Sequence, residues 1–407
     1  SLGLVGSEMC IRDSYTIFGG MKSVLYTSVL QTPILLLGSL IILVLGFKEL
    51  GGWDEMMRVC GAVTVNDYGD TMTNLIRSND DANFPWLGAL IGSAIIGFWY
   101  WCTDQFIVQR VLSGKNEMEA RRGTIFGAYL KLLPVFLFLI PGMIAFALHQ
   151  KYIGAGGEGF LPMLANGTAN ADAAFPTLVA KLLPAGVKGL VVCGILAALM
   201  SSLASLFNSS AMLFTIDFYK RFRPETPEKK LVGIGQVATV VIVILGILWI
   251  PIMRSVGDVL YTYLQDVQSV LAPGIAAAFL LGICWKRTSA QGGMWGLIAG
   301  MVIGLTRLGA KVYYSNAGEV ADSTFKYLFY DMNWLFFCGW MFLFCIIVVI
   351  VVSLATKAPT AEKIQGLVFG TATKEQKAAT RASWNHWDII HTVIILAITG
   401  AFYWYFW

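Results

Sequence analysis

The sequence predicts an all-α polytopic membrane protein with about nine transmembrane helices. Three observations carry this prediction. Of the 407 residues, 57% are hydrophobic and only 13% are charged, whereas soluble domains are about a quarter charged. The apolar residues gather into runs that match the roughly 20 residues a helix needs to cross a bilayer. The chain lacks the ten-residue alternation of apolar and polar positions that marks a membrane β-barrel.

The nine expected spans are 22–47, 86–109, 124–148, 186–216, 231–252, 258–284, 290–309, 333–356 and 387–407. Several contain Gly, Pro, Ser or Thr, which membrane helices accept more readily than soluble ones. Lipid offers no partner to a free N–H or C=O. Each span is therefore expected to be helical, or broken only where protein or a water-filled cavity surrounds the break. Segments 48–85 and 149–185 are rich in Gly, Asn and Asp and are expected to be irregular, with a short helix. Segment 357–386 is polar and expected to be partly helical. Residues 1–14 read as a non-native segment, with a divergent native start as the alternative, and 15–407 as one transmembrane domain.

Basic residues set the expected orientation, because Lys and Arg concentrate in cytoplasmic loops. Sixteen fall in one set of alternate segments, 110–122, 220–230, 286–287 and 357–381, and nine in the opposite set, which includes Lys311 and Lys326. The richer set is placed inside, so the chain ends outside a cytoplasmic (plasma) membrane. The net charge of +4 is too small to argue for a nucleic-acid partner. The seven cysteines have neither metal-type nor paired spacing and read as small apolar helix residues without disulfides. The chain offers no nucleophile with a base, no phosphate loop and no metal cluster, so an enzyme is not expected.

Polar groups at membrane depth are costly and each is a candidate for function. The run from Gly97 through Tyr100, Trp101 and Asp104 to Gln105 is the densest. Sugars present apolar C–H faces and polar hydroxyls, which suit an aromatic ring beside amide or charged groups; an interfacial aromatic belt uses the same residues. Lys131 in the next span is able to donate to a hydroxyl or to snorkel to the surface. Ser201 and Ser202, with Ser205, Asn208 and Ser209 beyond them, supply oxygen atoms for a hard cation such as sodium; small-residue helix packing draws on the same types. Gln265, beside Asp266, both donates and accepts, as a hydroxylated ligand requires; an interhelical hydrogen bond is the alternative.

These segments resemble the sodium/sugar cotransporters of the solute:sodium symporter family. The stretches concerned are Gly19 to Lys22, Tyr26 to Gln31, Trp99 to Arg110 (WYWCTDQFIVQR), Tyr129 to Pro134, Pro141 to Met143, Ala198 to Asp217 and Trp285 to Arg287. The likeness covers about residues 15–356, and more weakly the remainder. It implies a five-plus-five inverted-repeat transporter fold of the amino acid-polyamine-organocation type. The first span would be core helix five, followed by the complete second repeat and three additional C-terminal helices. Four core helices ahead of residue 15 would be absent, so the chain would be N-terminally truncated. Such transporters bind substrate midway between the repeats.

By this resemblance Tyr100 would stack on the sugar ring with Trp101 beside it, and Lys131 and Gln265 would bond its hydroxyls. The carbonyl of Ala198 and the hydroxyls of Ser201 and Ser202 would form the second-repeat half of a sodium site. Gly97 departs from the polar residue common in the family. In relatives that couple two sodium ions, a second site pairs an Asp with a Thr; this chain has Ser28 and Ala204 there, which implies one sodium ion per sugar, unless Ser28 is simply a tolerated small residue. The implied activity is sodium-driven symport of a glucose- or galactose-like sugar, or a polyol, across the lipid bilayer by alternating access, with sodium the co-transported ion. Lys131 with Gln265, and no second cation for a carboxylate, favours a neutral solute. The alternatives are symport of an amino acid or organic acid and a non-transporting sugar sensor.

Overall fold

The computed structural model describes residues 29, 32–164, 167–254, 260–316 and 321–406. Among them regular structure is helical, and extended pairing is limited to isolated bridges such as Thr64 with Thr71. The helices are α1 Thr32–Leu50, α2 Trp53–Gly61, α3 Trp86–Cys102, α4 Gln105–Leu112, α5 Glu117–Pro134, α6 Ile140–Gly154, α7 Ala174–Leu182, α8 Ala185–Met212 and α9 Lys220–Phe222. They continue with α10 Glu228–Arg254, α11 Leu260–Cys284, α12 Ala290–Asn316, α13 Thr324–Lys326, α14 Trp334–Ala355, α15 Ala361–Ile364, α16 Lys374–Ala382 and α17 His386–Tyr405.

Eight of the described helical stretches are long and apolar enough to cross a membrane, with α5 running into α6 and α8 into α9 as single 38-residue helices. The bent pair α3 and α4 makes the ninth. Each of the nine expected spans has a counterpart. The loops hold the expected short helices, α2 in 48–85, α7 in 149–185, and α15 and α16 in 357–386. One boundary differs in a way that matters. Helix α12 continues to Asn316, past the expected end at 309, so Lys311 belongs to a helix and not to a loop.

Proline and side-chain capping explain the irregular turns. Pro141 has no N–H to give the α-helical ladder. Just before it, Ile140 N–H reaches back five residues to Val135 O, and Val135–Leu139 winds as a π-turn. The break between α3 and α4 has a different cause. The Trp99 carbonyl accepts from Thr103 N–H at 3.0 Å, Asp104 N–H at 3.1 Å and the Thr103 hydroxyl at 2.7 Å. Asp104 then starts α4 afresh, its carboxylate accepting from Phe106 N–H at 3.1 Å, as an N-cap does. The two helices meet at 48°.

Contacts divide the chain into two compact units, one formed by residues up to Val63 with Leu130–Arg254, the other by Thr64–Tyr129 with residues from Ser255 onward. In the first, α6 buries Ile144, Ala145 and Leu148, with Gly46 of α1 facing Ile144. Gly38 and Gly194 let α1 and α8 approach closely.

In the second unit α3, α11, α12 and α14 pack together. Ile95 and Ile96 of α3, Ala272 and Ala276 of α11, and Trp334, Leu335 and Cys338 of α14 form one core; Val270, Ala277, Phe337, Met341 and Cys345 form another. Helix α12 presents Gly292, Gly296, Gly300 and Gly304, spaced four apart and therefore on one face. A Cβ at Gly292 or Gly296 would strike Val349 and Ser353 of α14, and one at Gly300 or Gly304 would strike Gly274 or Val270 of α11. Small residues at such spacing let membrane helices approach to backbone contact.

The 64–85 loop of this unit is organised by Asp81. Burial pushes its carboxyl pKa up, but N–H groups of Phe84 and Asn83, the Asn66 amide and Arg77 together hold it below the usual carboxylate value. Asn333, which caps α14, donates to Ala82 O at 2.7 Å and ties this loop to that helix.

Candidate functional site

The residues singled out from the sequence fall on both units. Gly97, Tyr100, Trp101, Asp104, Gln265 and Asp266 lie in the second; Lys131, Ala198, Ser201 and Ser202 lie in the first. Ser28 lies outside the described residues, and Ala204 sits within α8.

Tyr100 and Trp101 occupy the end of α3, just ahead of the break at Thr103. Their rings meet edge to face at 5.3 Å, with Trp99 tilted 6.2 Å from Tyr100. Tyr100 is half-buried and Trp101 is 50% exposed. The break thus leaves an aromatic cluster at the terminus of a discontinuous helix, a place where membrane transporters build sites. Gly97 has open space around it, with nothing within 4 Å of an added Cβ. Asp104 is occupied in capping α4.

On α11, Gln265 is half-buried and its amide donates to Tyr261 Oη at 3.1 Å. The neighbouring Asp266 is 8% exposed. Its Oδ1 accepts from Arg307 at 3.4 Å and its Oδ2 from Lys311 at 2.5 Å. Arg307 is fully buried. It also donates to Met332 O at 2.8 Å and Leu328 O at 3.5 Å, and its guanidinium lies 4.0 Å from the centre of the Phe337 ring. Such a stack is characteristic of Arg more than Lys.

Arg307 and Lys311 were not singled out from the sequence. The signal was present, because Arg307 lies inside the expected 290–309 span and an intramembrane charge is itself a marker of function. Two cations thus lie beside Asp266, the residue next to Gln265. Both cations bind Asp266, and Arg307 also binds the carbonyls of Met332 and Leu328.

In the first unit, Ala198, Ser201 and Ser202 stand at i, i+3 and i+4 on α8 and share a face. Ser201 is buried and Ser202 exposed. Lys131 is exposed on α5. Among the described residues no group of three His, Cys, Asp or Glu is gathered as a metal centre would need. Sodium, a weakly held hard cation, asks only for oxygens. Two surface grooves, of about 690 and 350 Å³, are lined by other residues, Phe214 and Lys230 to Leu245 in the first and Tyr129, Trp387 and His391 in the second.

This all-helical fold has a counterpart among solved structures. A sodium-coupled sialic acid symporter, solved in a substrate-bound outward-open state, superposes with a TM-score of 0.64 over 86% of this chain and 66% of its own, at 21% identity. The family model for the sodium:solute symporters matches residues 4–300. The chain belongs to the sodium:solute symporter family. It is 35% identical to the sodium/mannose cotransporter of Bos taurus over 419 residues, 98% of this chain and 70% of that protein. It is 38% identical to sodium/glucose cotransporter 1 of Ovis aries over 86% of this chain, and 35% identical to sodium/myo-inositol cotransporter 2 of Homo sapiens over 91%. The chain spans just over half the length of the last two, 55% and 56%.

Proposed function

We propose that the transporter to which this chain belongs performs sodium-coupled symport of a sugar or polyol by alternating access in a cytoplasmic (plasma) membrane, with the C-terminus of this chain outside and no catalytic chemistry. The observation that carries this reading is the 35–38% identity to mannose, myo-inositol and glucose cotransporters across 86–98% of the chain. Tyr100 and Trp101 stack on the solute, Gln265 and Lys131 bond its hydroxyls, and Ala198, Ser201 and Ser202 ligate sodium. Each sodium ion contributes about 2.3 kcal/mol per 100 mV of membrane potential to accumulation.

Reconstitution in liposomes of the transporter that contains this chain, with labelled glucose, mannose and myo-inositol, tests the reading. Uptake that rises with an inward sodium gradient supports it, and uptake indifferent to sodium overturns it. Gln265→Ala removes a hydrogen-bonding partner for about 1–3 kcal/mol, a five- to 150-fold weaker apparent sugar affinity. Ser202→Ala shifts sodium activation to higher concentration and weakens sugar binding only through reciprocal linkage. An unchanged sodium dependence would remove Ser202 from the ligand set.

The coupling ratio is expected to be one sodium ion per sugar. Ser28 and Ala204 stand where relatives that couple two ions resemble one another in carrying Asp and Thr. Without that carboxylate a second cation would be dehydrated with no counter-charge, which is expensive away from water. Reversal potentials of sugar-coupled current at known sodium gradients measure the ratio, and a value of two refutes the assignment.

A further inference from the structure

Helix α11 contains Pro273. Proline has no N–H, so the carbonyl of Ser269, four residues earlier, loses its helical donor. The helix is therefore weakest just where it joins the segment 260–269, which carries Tyr261, Gln265 and Asp266. The direction of that segment depends on what its side chains hold.

Asp266 is the side chain that holds. Its two carboxylate oxygens are gripped by different cations, Oδ1 by Arg307 and Oδ2 by Lys311, both on α12. Gripping at two points fixes rotation as well as distance. Arg307 is in turn immobilised by the carbonyls of Leu328 and Met332 and by the Phe337 ring of α14. The Asp266 carbonyl accepts the Ser269 hydroxyl at 2.6 Å, which reinforces the turn ahead of Pro273. Stability alone is a poor reason for this arrangement, because a buried ion pair often gains no more than well-packed apolar residues would. Orientation is a better one. Consecutive residues of a helix lie about 100° apart, so fixing the azimuth of Asp266 fixes that of Gln265.

We propose that Asp266 is a positioning residue: through Arg307 and Lys311 it sets the rotation of segment 260–269, and with it the direction in which Gln265 presents its amide to a hydroxylated solute. The proposal rests on the symport reading for the role of Gln265. The rotation itself is testable without a solute.

The test uses the full chain in lipid nanodiscs. Asn at 266 keeps one acceptor and turns an NH₂ group toward a cation; Glu keeps both acceptors. Asp266→Asn is expected to weaken sodium-dependent binding of labelled glucose or myo-inositol about tenfold, and Asp266→Glu at most about threefold, within the range for a lost buried hydrogen bond. Because Asp266 acts through Gln265, the double variant Gln265→Ala/Asp266→Asn should bind within about twofold of Gln265→Ala alone, a non-additivity expected of coupled neighbours. Amide hydrogen exchange should quicken across 260–269 in Asp266→Asn and stay unchanged in α17. Additive losses in the double variant overturn the proposal, as does unchanged exchange across 260–269. If the wild-type chain binds neither solute at any sodium concentration, the symport reading falls, and the exchange measurement alone decides the positioning role.

Discussion

Valine at Gly304 is expected to lower the thermal unfolding temperature of the purified chain by roughly 5 °C, the scale set by about 2 kcal/mol in a unit of this size. A Cβ there meets the Val270 carbonyl oxygen at 2.8 Å and Val270 Cγ1 at 2.6 Å. The oxygen is main chain of α11 and has no rotamer to escape into. Helix α12 must therefore move away from α11, and the contact of Gly300 with Gly274, where a Cβ would lie 2.9 Å from a Cα, opens with it. Overpacking of this kind typically costs about 1–3 kcal/mol. Gly293 stands on the same helix with nothing within 4 Å of an added Cβ. Gly293→Ala should leave the transition unchanged or raise it, since alanine favours helix by about 1 kcal/mol over glycine. Equal transitions for Gly304→Val and wild type would show that α11 and α12 do not meet along this stripe.

Arg307→Met should be more damaging. It leaves Lys311 as the remaining cation on Asp266 and strips a donor from the carbonyls of Met332 and Leu328. Removing one partner of a buried ionic group costs about 3–5 kcal/mol, because the other partner stays buried and under-compensated. Methionine preserves much of the apolar stem, so the loss reports on the charged head. Arg307→Lys should fall between, since one ammonium cannot reproduce a planar fork that spans three acceptors and a ring. Tryptophan fluorescence during heating in detergent measures both variants, and a wild-type transition for Arg307→Met would refute this role of Arg307.

The sequence announced the spans through the length of their apolar runs, and the structure has a helix or bent pair for each. The bend in the second span was less legible. The WYWCTDQ run marked itself as unusual, but the break depends on how many donors converge on the Trp99 carbonyl, which no side-chain pattern displays. Apolar content falls off at 309, but pairing of Lys311 with Asp266 lets the helix carry its polar residues onward to Asn316. Arg307 is close to the expected span end at 309, where a charge resembles an interfacial one. The four-residue glycine spacing of α12 was readable in the sequence, but what each glycine faces was not. The candidate sugar and sodium residues were recognisable by type and resemblance. Their division between two units arises from contacts between residues over a hundred positions apart.

The second unit is discontinuous along the chain, with residues 130–254 of the other unit interposed between its two pieces. Helix α3 leaves the ribosome long before α14, against which Gly88 and Gly92 pack on Leu335. The Asn333 latch onto the Ala82 carbonyl spans 251 positions. At about 5–20 residues per second of synthesis, α3 waits roughly 10–50 s for its partner. During that interval its glycine-lined face lies against lipid or whatever the insertion machinery provides, so the early membrane intermediate must tolerate an unpartnered helix.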